Sequence, residues 1–110
     1  MKNIAVLYED DECMVLDKPA GLAVQGGEQV GASLDALLGA LREPRPLLVH
    51  RLDKDTSGAI LVAKTREAAS RYGALMAGRG VSKRYLAVCA GRPGSPSGEI
   101  REPLEIRGEL

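Results

Sequence analysis

The apolar run Gly58–Ala63 (GAILVA) restricts the fold of this 110-residue chain more than any other segment. It contains no polar side chain in six successive positions. A short uninterrupted apolar run of this kind is typical of a strand that is covered on both faces. The run therefore predicts a buried strand inside a sheet.

Other segments show strand patterns, and the first two predict a hairpin. Ile4–Tyr8 and Cys13–Leu16 are apolar runs separated by an acidic turn. The second run is stopped by Lys18-Pro19-Ala20-Gly21, because proline cannot donate to a strand ladder and glycine permits a turn. Further strands are predicted at Leu47–Val49 and Val81–Ala90, and another begins around Ile100–Ile106.

Two helices are predicted between these strands. Ser33 is suited to cap the first, whose apolar residues at helical spacing are Leu34, Leu37, Leu38 and Leu41. Thr65 is suited to cap the second, which extends to about Met76. The order of elements predicts one α+β (mixed α/β) domain over residues 1–110, with a largely antiparallel sheet and two helices.

Composition limits the possible chemistry. His50 is the single histidine, and Cys13 and Cys89 lie far apart without a CxxC pattern, so no zinc ligand set can be assembled from these residues. Both cysteines lie in apolar stretches, where a buried free thiol is expected. No apolar run approaches the roughly 18 residues needed to cross a bilayer. We therefore expect no metal and no membrane partner, and a cytoplasmic protein.

Charge is distributed unevenly, although the net charge is zero. Residues 1–41 hold two basic and seven acidic side chains, whereas residues 42–110 hold thirteen basic and eight acidic ones. Between Arg51 and Arg92 there are nine basic and three acidic residues. A polyanion would therefore bind this middle stretch, although scattered solvated charges are the alternative interpretation.

The polar segment His50–Gly58 (HRLDKDTSG) lies between two apolar strands and is the best candidate for a site. In an extended conformation alternate side chains share a face, which would group Arg51, Asp53 and Asp55 and oppose them to His50, Leu52 and Lys54. An adjacent arginine would keep Asp53 ionised, as a nucleophile or general base requires. The residues alone leave open a plain polar turn whose side chains bond to the backbone.

The string HRLDKDTSG resembles the HRLDxxTSG signature of RluA-type RNA pseudouridine synthases. The resemblance continues in YEDDECMVLDKPAGLAV at residues 8–24, in ILVAKT at residues 60–65 and in KRYLAVCAG at residues 83–91. These segments follow the order of the family and cover most of the chain. The chain is thus identified as similar to the N-terminal half of that catalytic domain.

The resemblance implies isomerisation of a uridine in RNA, either rRNA or tRNA, without cofactor or metal. Asp53 matches the essential carboxylate, and Tyr85 matches the active-site tyrosine that stacks on the target base. Arg51 matches the arginine that helps hold the flipped-out conformation. Arg51, Lys54, Lys83 and Arg84 are expected to contact RNA, and supporting roles fall to His50, Thr56, Ser57, Gly58 and Lys18.

One motif of the family, an RTHQIR-like stretch that supplies an arginine to the catalytic aspartate, is not found before Leu110. The resemblance therefore implies a partial catalytic domain whose partner is the missing C-terminal half. Two functional classes follow: an enzyme, or a truncated, catalytically silent RNA-binding module.

Overall fold

A computed structural model describes residues 4–26 and 32–102 of the chain. The strands are β1 (Ala5–Glu9), β2 (Cys13–Lys18), β3 (Leu47–Leu48) and β4 (Gly58–Ala63), and the helices are α1 (Leu34–Leu41) and α2 (Arg66–Ala77). The four strands form one sheet in the order β1-β2-β4-β3, and all three pairings are antiparallel. The predicted α+β class, hairpin and two helices are confirmed.

The core lies on one face of the sheet. Met14 pairs with Val62 and Leu16 with Ile60 across the β2–β4 ladder, so all four side chains point to the same side. They are fully buried against Leu34 and Leu38 of α1 and other apolar residues of one cluster: Ile4, Val24 and Leu52. Burial of this face supplies most of the apolar stabilisation of the domain.

The opposite face of the sheet is only partly covered. Val15 and Leu61 pair with each other on this face and are half-buried. Within β4, Ala63 is buried but Ala59 is exposed. The prediction that β4 is buried on both faces is therefore wrong at Ala59 and only partly met at Leu61, because α2 covers one end of the strand alone.

Both predicted helix caps are formed. The Ser33 hydroxyl oxygen accepts a 3.2 Å hydrogen bond from the backbone N–H of Ala36. The Thr65 hydroxyl oxygen accepts one of 3.0 Å from Ala68. Each cap satisfies a backbone donor that the first helical turn leaves unpaired, so the helices begin where the sequence indicates.

The segment after α2 departs from the prediction. Val81–Ala90 is not a strand in the structure, and Leu86 and Val88 are fully exposed. Cys89 is exposed as well, so the expectation of a buried thiol holds for Cys13 and is wrong for Cys89. Strand structure requires a hydrogen-bonded neighbour, and this segment has none among the described residues. Of the predicted strand Ile100–Ile106, residues 100–102 are not in a strand and the remainder lies outside the described residues.

Neither helix of the described ranges is long and apolar enough to cross a membrane.

Candidate active site

The polar loop His50–Ser57 connects β3 to β4 and carries the candidate carboxylate. It turns rather than continuing as a strand, and the backbone N–H of Thr56 donates a 3.0 Å hydrogen bond to the carbonyl of Asp53. The predicted alternation of faces therefore holds only as far as Asp53: Leu52 is buried between exposed Arg51 and Asp53, whereas Lys54 and Asp55 are both exposed. Leu52 points inward and anchors the loop in the core.

Gly58 ends the loop with a backbone conformation that favours glycine. Its φ angle is +127°, a region that residues with a β-carbon rarely adopt. No atom lies within 4 Å of where a β-carbon would be built, so the constraint is conformational rather than steric. Gly58 therefore allows the chain to leave the loop and enter β4 directly.

Lys18 fixes the middle of this loop by hydrogen bonding to its backbone. Its side chain is fully buried, and its ammonium group donates to the backbone carbonyl oxygens of Pro19 at 3.0 Å, Leu22 at 2.6 Å and Lys54 at 2.9 Å. The N–H of Gly21 donates a further 2.8 Å bond to the same Lys54 carbonyl. The turn after β2 is thereby joined to the residue that follows Asp53.

The electrostatics of Lys18 are set by opposing effects. Burial lowers the pKa of the ammonium group, whereas the negative charges of Asp55 and Asp53 act to raise it. Three carbonyl acceptors use all three N–H bonds of the ammonium group, so the cation is buried without an unpaired donor. Lys18 thus places a positive charge beneath the two carboxylates.

His50 attaches the start of the loop to β4. The Nε2 atom accepts a 3.0 Å hydrogen bond from the backbone N–H of Leu61. Burial lowers the pKa of the imidazole, and the positive charge of Lys83 lowers it further. Its Nδ1 atom is buried and has no hydrogen-bond partner among the described residues.

Asp53 and Tyr85 line one open cleft of about 490 Å³. Arg51 also borders this cleft, so the three residues that the resemblance assigned to catalysis and base flipping lie together. Within the described residues Arg51 forms no ion pair with Asp53. The expectation that a nearby arginine keeps Asp53 ionised therefore stays a prediction.

A second, larger cleft of about 770 Å³ adjoins the first at Tyr85, which is 58% exposed. Lys83 and Arg84 border it, and Val15 and Leu61 line it from the sheet. The other supporting residues of the loop also line this cleft: His50, Thr56, Ser57 and Gly58. Lys54 lines neither cleft, and its side chain is exposed.

Three groups that shape the site are backbone atoms: the carbonyl of Lys54 and the N–H groups of Gly21 and Leu61. Reasoning from side-chain chemistry could not select them. The sequence signals that come nearest are the Lys-Pro pair after β2 and the lone histidine at the start of the loop.

The chain forms an antiparallel sheet with an open cleft beside it. An exposed carboxylate, on a loop that is fixed through its backbone, and a tyrosine from the segment after α2 both line this cleft. The family model for RNA pseudouridylate synthase matches residues 12–109. The chain belongs to the RNA pseudouridylate synthase family.

Curated relatives share 40–46% identity with it. A ribosomal large subunit pseudouridine synthase C of Rickettsia bellii is 40% identical over 102 residues, which are 91% of this chain and 34% of that protein. The synthase C of Escherichia coli is 46% identical over 101 residues, 90% of this chain and 32% of that protein. A ribosomal large subunit pseudouridine synthase D of Pseudomonas aeruginosa is 45% identical over 112 aligned positions, which cover 96% of this chain and 35% of that protein. The chain spans about a third of the length of these relatives.

Solved structures show the same relationship. Human RNA pseudouridylate synthase domain containing 4 superimposes with a TM-score of 0.58 at 30% identity, over 69% of this chain and 30% of that one. Human RNA pseudouridylate synthase domain containing 1 gives a TM-score of 0.58 at 26% identity, over 70% of this chain and 29% of that one.

Proposed function

We propose that the chain carries the catalytic carboxylate of an enzyme that isomerises uridine in RNA to pseudouridine, with Asp53 as that carboxylate. The observation that carries the proposal is that Asp53 and Tyr85 line the same cleft. The loop that bears Asp53 is fixed by a hydrogen bond from Lys18. Family membership supports the type of reaction.

The reaction is an isomerisation and balances without a co-reactant. The bond between the ribose and a uracil nitrogen breaks, the uracil turns, and a new bond forms between the ribose and carbon 5. The proton on carbon 5 is lost, and the freed nitrogen gains one. An ionised Asp53 can attack the sugar, attack the pyrimidine ring or abstract a sugar proton, and each of these roles uses the same exposed carboxylate.

Tyr85 is suited to hold the target base. Tyr85 is exposed and lines the same cleft as Asp53, so its ring is available to stack on a base that enters the cleft. Proton transfer to or from the turned base is the second role open to its hydroxyl group. Arg51 borders the same cleft and is placed to hold the extruded nucleotide, whose unstacking costs a few kcal/mol.

The substrate class follows from charge and from the relatives. The three curated relatives described above are named for the ribosomal large subunit, so we propose ribosomal RNA as the substrate, with tRNA as the alternative. Lys83 and Arg84, beside the larger cleft, and the exposed Lys54 would bind phosphates. We propose that the remaining length found in the relatives supplies the other walls of the site.

The alternative function is an RNA-binding module without catalysis. The observation that favours it is the Asp53 carboxylate, which has no side-chain hydrogen bond and no ion pair within the described residues. Electrostatic preorganisation supplies much of an enzyme's rate enhancement, so an unsupported carboxylate would be a weak catalyst.

Release of tritium from RNA labelled at carbon 5 of uridine distinguishes the two functions, because this proton leaves only when the carbon–sugar bond forms. Unmodified large-subunit RNA and tRNA transcripts are incubated with the 110-residue chain and with a longer natural protein that contains it. Asp53→Asn should abolish release in any active form and leave the thermal melt unchanged, whereas the matched change Asp55→Asn should retain activity. RNA binding without tritium release in both forms would favour the silent module.

A further inference from the structure

The strand ladder beside the site ends earlier on one edge of β4 than on the other. On one edge β2 pairs along the full length from Gly58 to Ala63. On the other edge β3 pairs only as far as Leu48 with Val62, and Val49 would be the next residue opposite Leu61. The N–H of Leu61 donates instead to the His50 side chain.

This contact fixes the chemical form of His50. A nitrogen that accepts a hydrogen bond must carry a free lone pair, so Nε2 is unprotonated and the proton of the neutral ring is on Nδ1. Burial and the positive charge of Lys83 both favour the neutral ring. Arg84 and Asp55 are the other charged side chains that line the same cleft.

We propose that His50 is a positioning residue for Asp53, in which a neutral imidazole replaces the missing backbone acceptor at the end of the β3–β4 ladder. The loop is then attached on both sides of the carboxylate: by His50 three residues before it and through the Lys54 carbonyl one residue after it. A loop held at both ends keeps Asp53 facing Tyr85, which is the preorganisation that catalysis requires.

The catalytic part of this inference rests on the function proposed above, but its structural part does not. A purely structural role would lower stability alone. A positioning role predicts that kcat falls while RNA affinity is kept, and that a side chain with an acceptor at the same place restores kcat.

Two variants and one spectrum of the wild type test the proposal. His50→Gln keeps a carbonyl acceptor but cannot be protonated, and His50→Leu removes the acceptor at similar volume. Long-range proton–nitrogen correlation of the imidazole in the unmodified chain should show the Nδ1–H tautomer. Exchange of the Leu61 amide proton should be about tenfold faster or more in the Leu variant, and nearly unchanged in the Gln variant.

In the active form of the protein, His50→Leu should reduce kcat about 10- to 100-fold with unchanged RNA affinity, and His50→Gln should recover most of that loss. An Nε2–H tautomer in the wild type, or equal Leu61 protection in the Leu variant, would overturn the proposal. The spectrum requires no variant, so it decides the issue even if His50→Leu does not fold. The expected spectrum, with no tritium release from either the 110-residue chain or the longer protein, would instead refute the proposed function and leave the attachment of the loop established.

Discussion

The ammonium group of Lys18 donates a 2.9 Å hydrogen bond to the backbone carbonyl of Lys54, a residue 36 positions further along the chain. The lysine is the largest fully buried side chain among residues 4–26 and 32–102. A buried cation is normally costly unless all of its donors are paired, and here the three partners are main-chain carbonyls rather than carboxylates. The loop is therefore held through its backbone, which leaves the nearby acidic side chains free for chemistry.

Replacing Lys18 with methionine should destabilise the domain and impair the site. The change removes the ammonium donor from the carbonyls of Pro19, Leu22 and Lys54, of which only that of Lys54 keeps a second donor, the Gly21 N–H. A buried carbonyl left unsatisfied costs about 1–3 kcal/mol. Urea unfolding monitored by circular dichroism gives the change in free energy. Lys54→Met is the matched control, because it also replaces a lysine by methionine. The Lys54 side chain is exposed and its backbone carbonyl is kept, so the free energy of unfolding should change by less than about 0.5 kcal/mol. Equal losses in the two variants would contradict the role of the buried ammonium group.

RNA binding should depend steeply on salt through Lys83 and Arg84. Each phosphate contact contributes about 0.7 to 0.9 to the slope of log affinity against log salt, so the double change to glutamine should reduce the slope by about 1.4 to 1.8. Fluorescence anisotropy with a labelled transcript, measured at several salt concentrations, gives the slope. Arg45→Gln is the control, because Arg45 lines neither cleft and binds Asp35. A slope that is the same in all three proteins would exclude the larger cleft as the RNA face.

Acid should remove the contribution of Glu9 to stability. Hydrogen bonds from Arg42 and then from Lys64 lower the pKa of Glu9 from 4.5 to about 2. A carboxyl group whose pKa is lower in the folded state stabilises it fully above its unfolded pKa, and this contribution is lost as pH falls through the folded value. The melting temperatures of wild type and Glu9→Gln should therefore differ at pH 7 and converge between about pH 4.5 and pH 2.

The control for the acid prediction is Glu43→Gln, since Glu43 is exposed and has no ion pair within the described residues. Its melting temperature should follow that of the wild type across the same range. A constant difference between wild type and Glu9→Gln down to pH 2 would contradict the assignment.

Trypsin should cut the 110-residue chain first in the exposed segment after α2. Proteases require an accessible, unpaired backbone, and Lys83 and Arg84 lie in such a stretch. Lys18 is buried, and Lys64 is half-buried beside β4, so cleavage there should require unfolding. Mass spectrometry of early fragments identifies the cut sites. Cleavage at Lys64 before Lys83 would contradict the exposed, unpaired backbone of the segment after α2.

The elements predicted correctly from the sequence are those specified by nearby residues. The hairpin follows from two apolar runs around an acidic turn, and both helices follow from caps and spacing that operate within a few residues. Val81–Ala90 has an equally strong apolar pattern but is not a strand, because strand formation depends on a partner that the pattern cannot reveal.

The same distinction applies to the site. The motif around Asp53 predicts candidate side chains, and the structure brings Asp53, Arg51 and Tyr85 to one cleft. The attachments made by Lys18 and His50 could not be predicted, since each joins a side chain to a backbone group on another element. Their geometry depends on the registers of β2 and β3 against β4, which no local pattern encodes.

The position of β4 in the sheet also determines the order in which the chain can fold. β2 meets β1 across a short turn, but its other neighbour begins only at Gly58, and their pairing must close a long loop before it gains any stabilising contact. Such non-local pairing slows folding, because the entropy of closure is lost before the contacts form. On the ribosome, the first hairpin can assemble early, whereas the carboxylate acquires its supports only after the last residues of β4 have emerged. Substitutions that weaken the β2–β4 ladder should therefore lengthen the period in which the nascent chain exposes its apolar surface to chaperones.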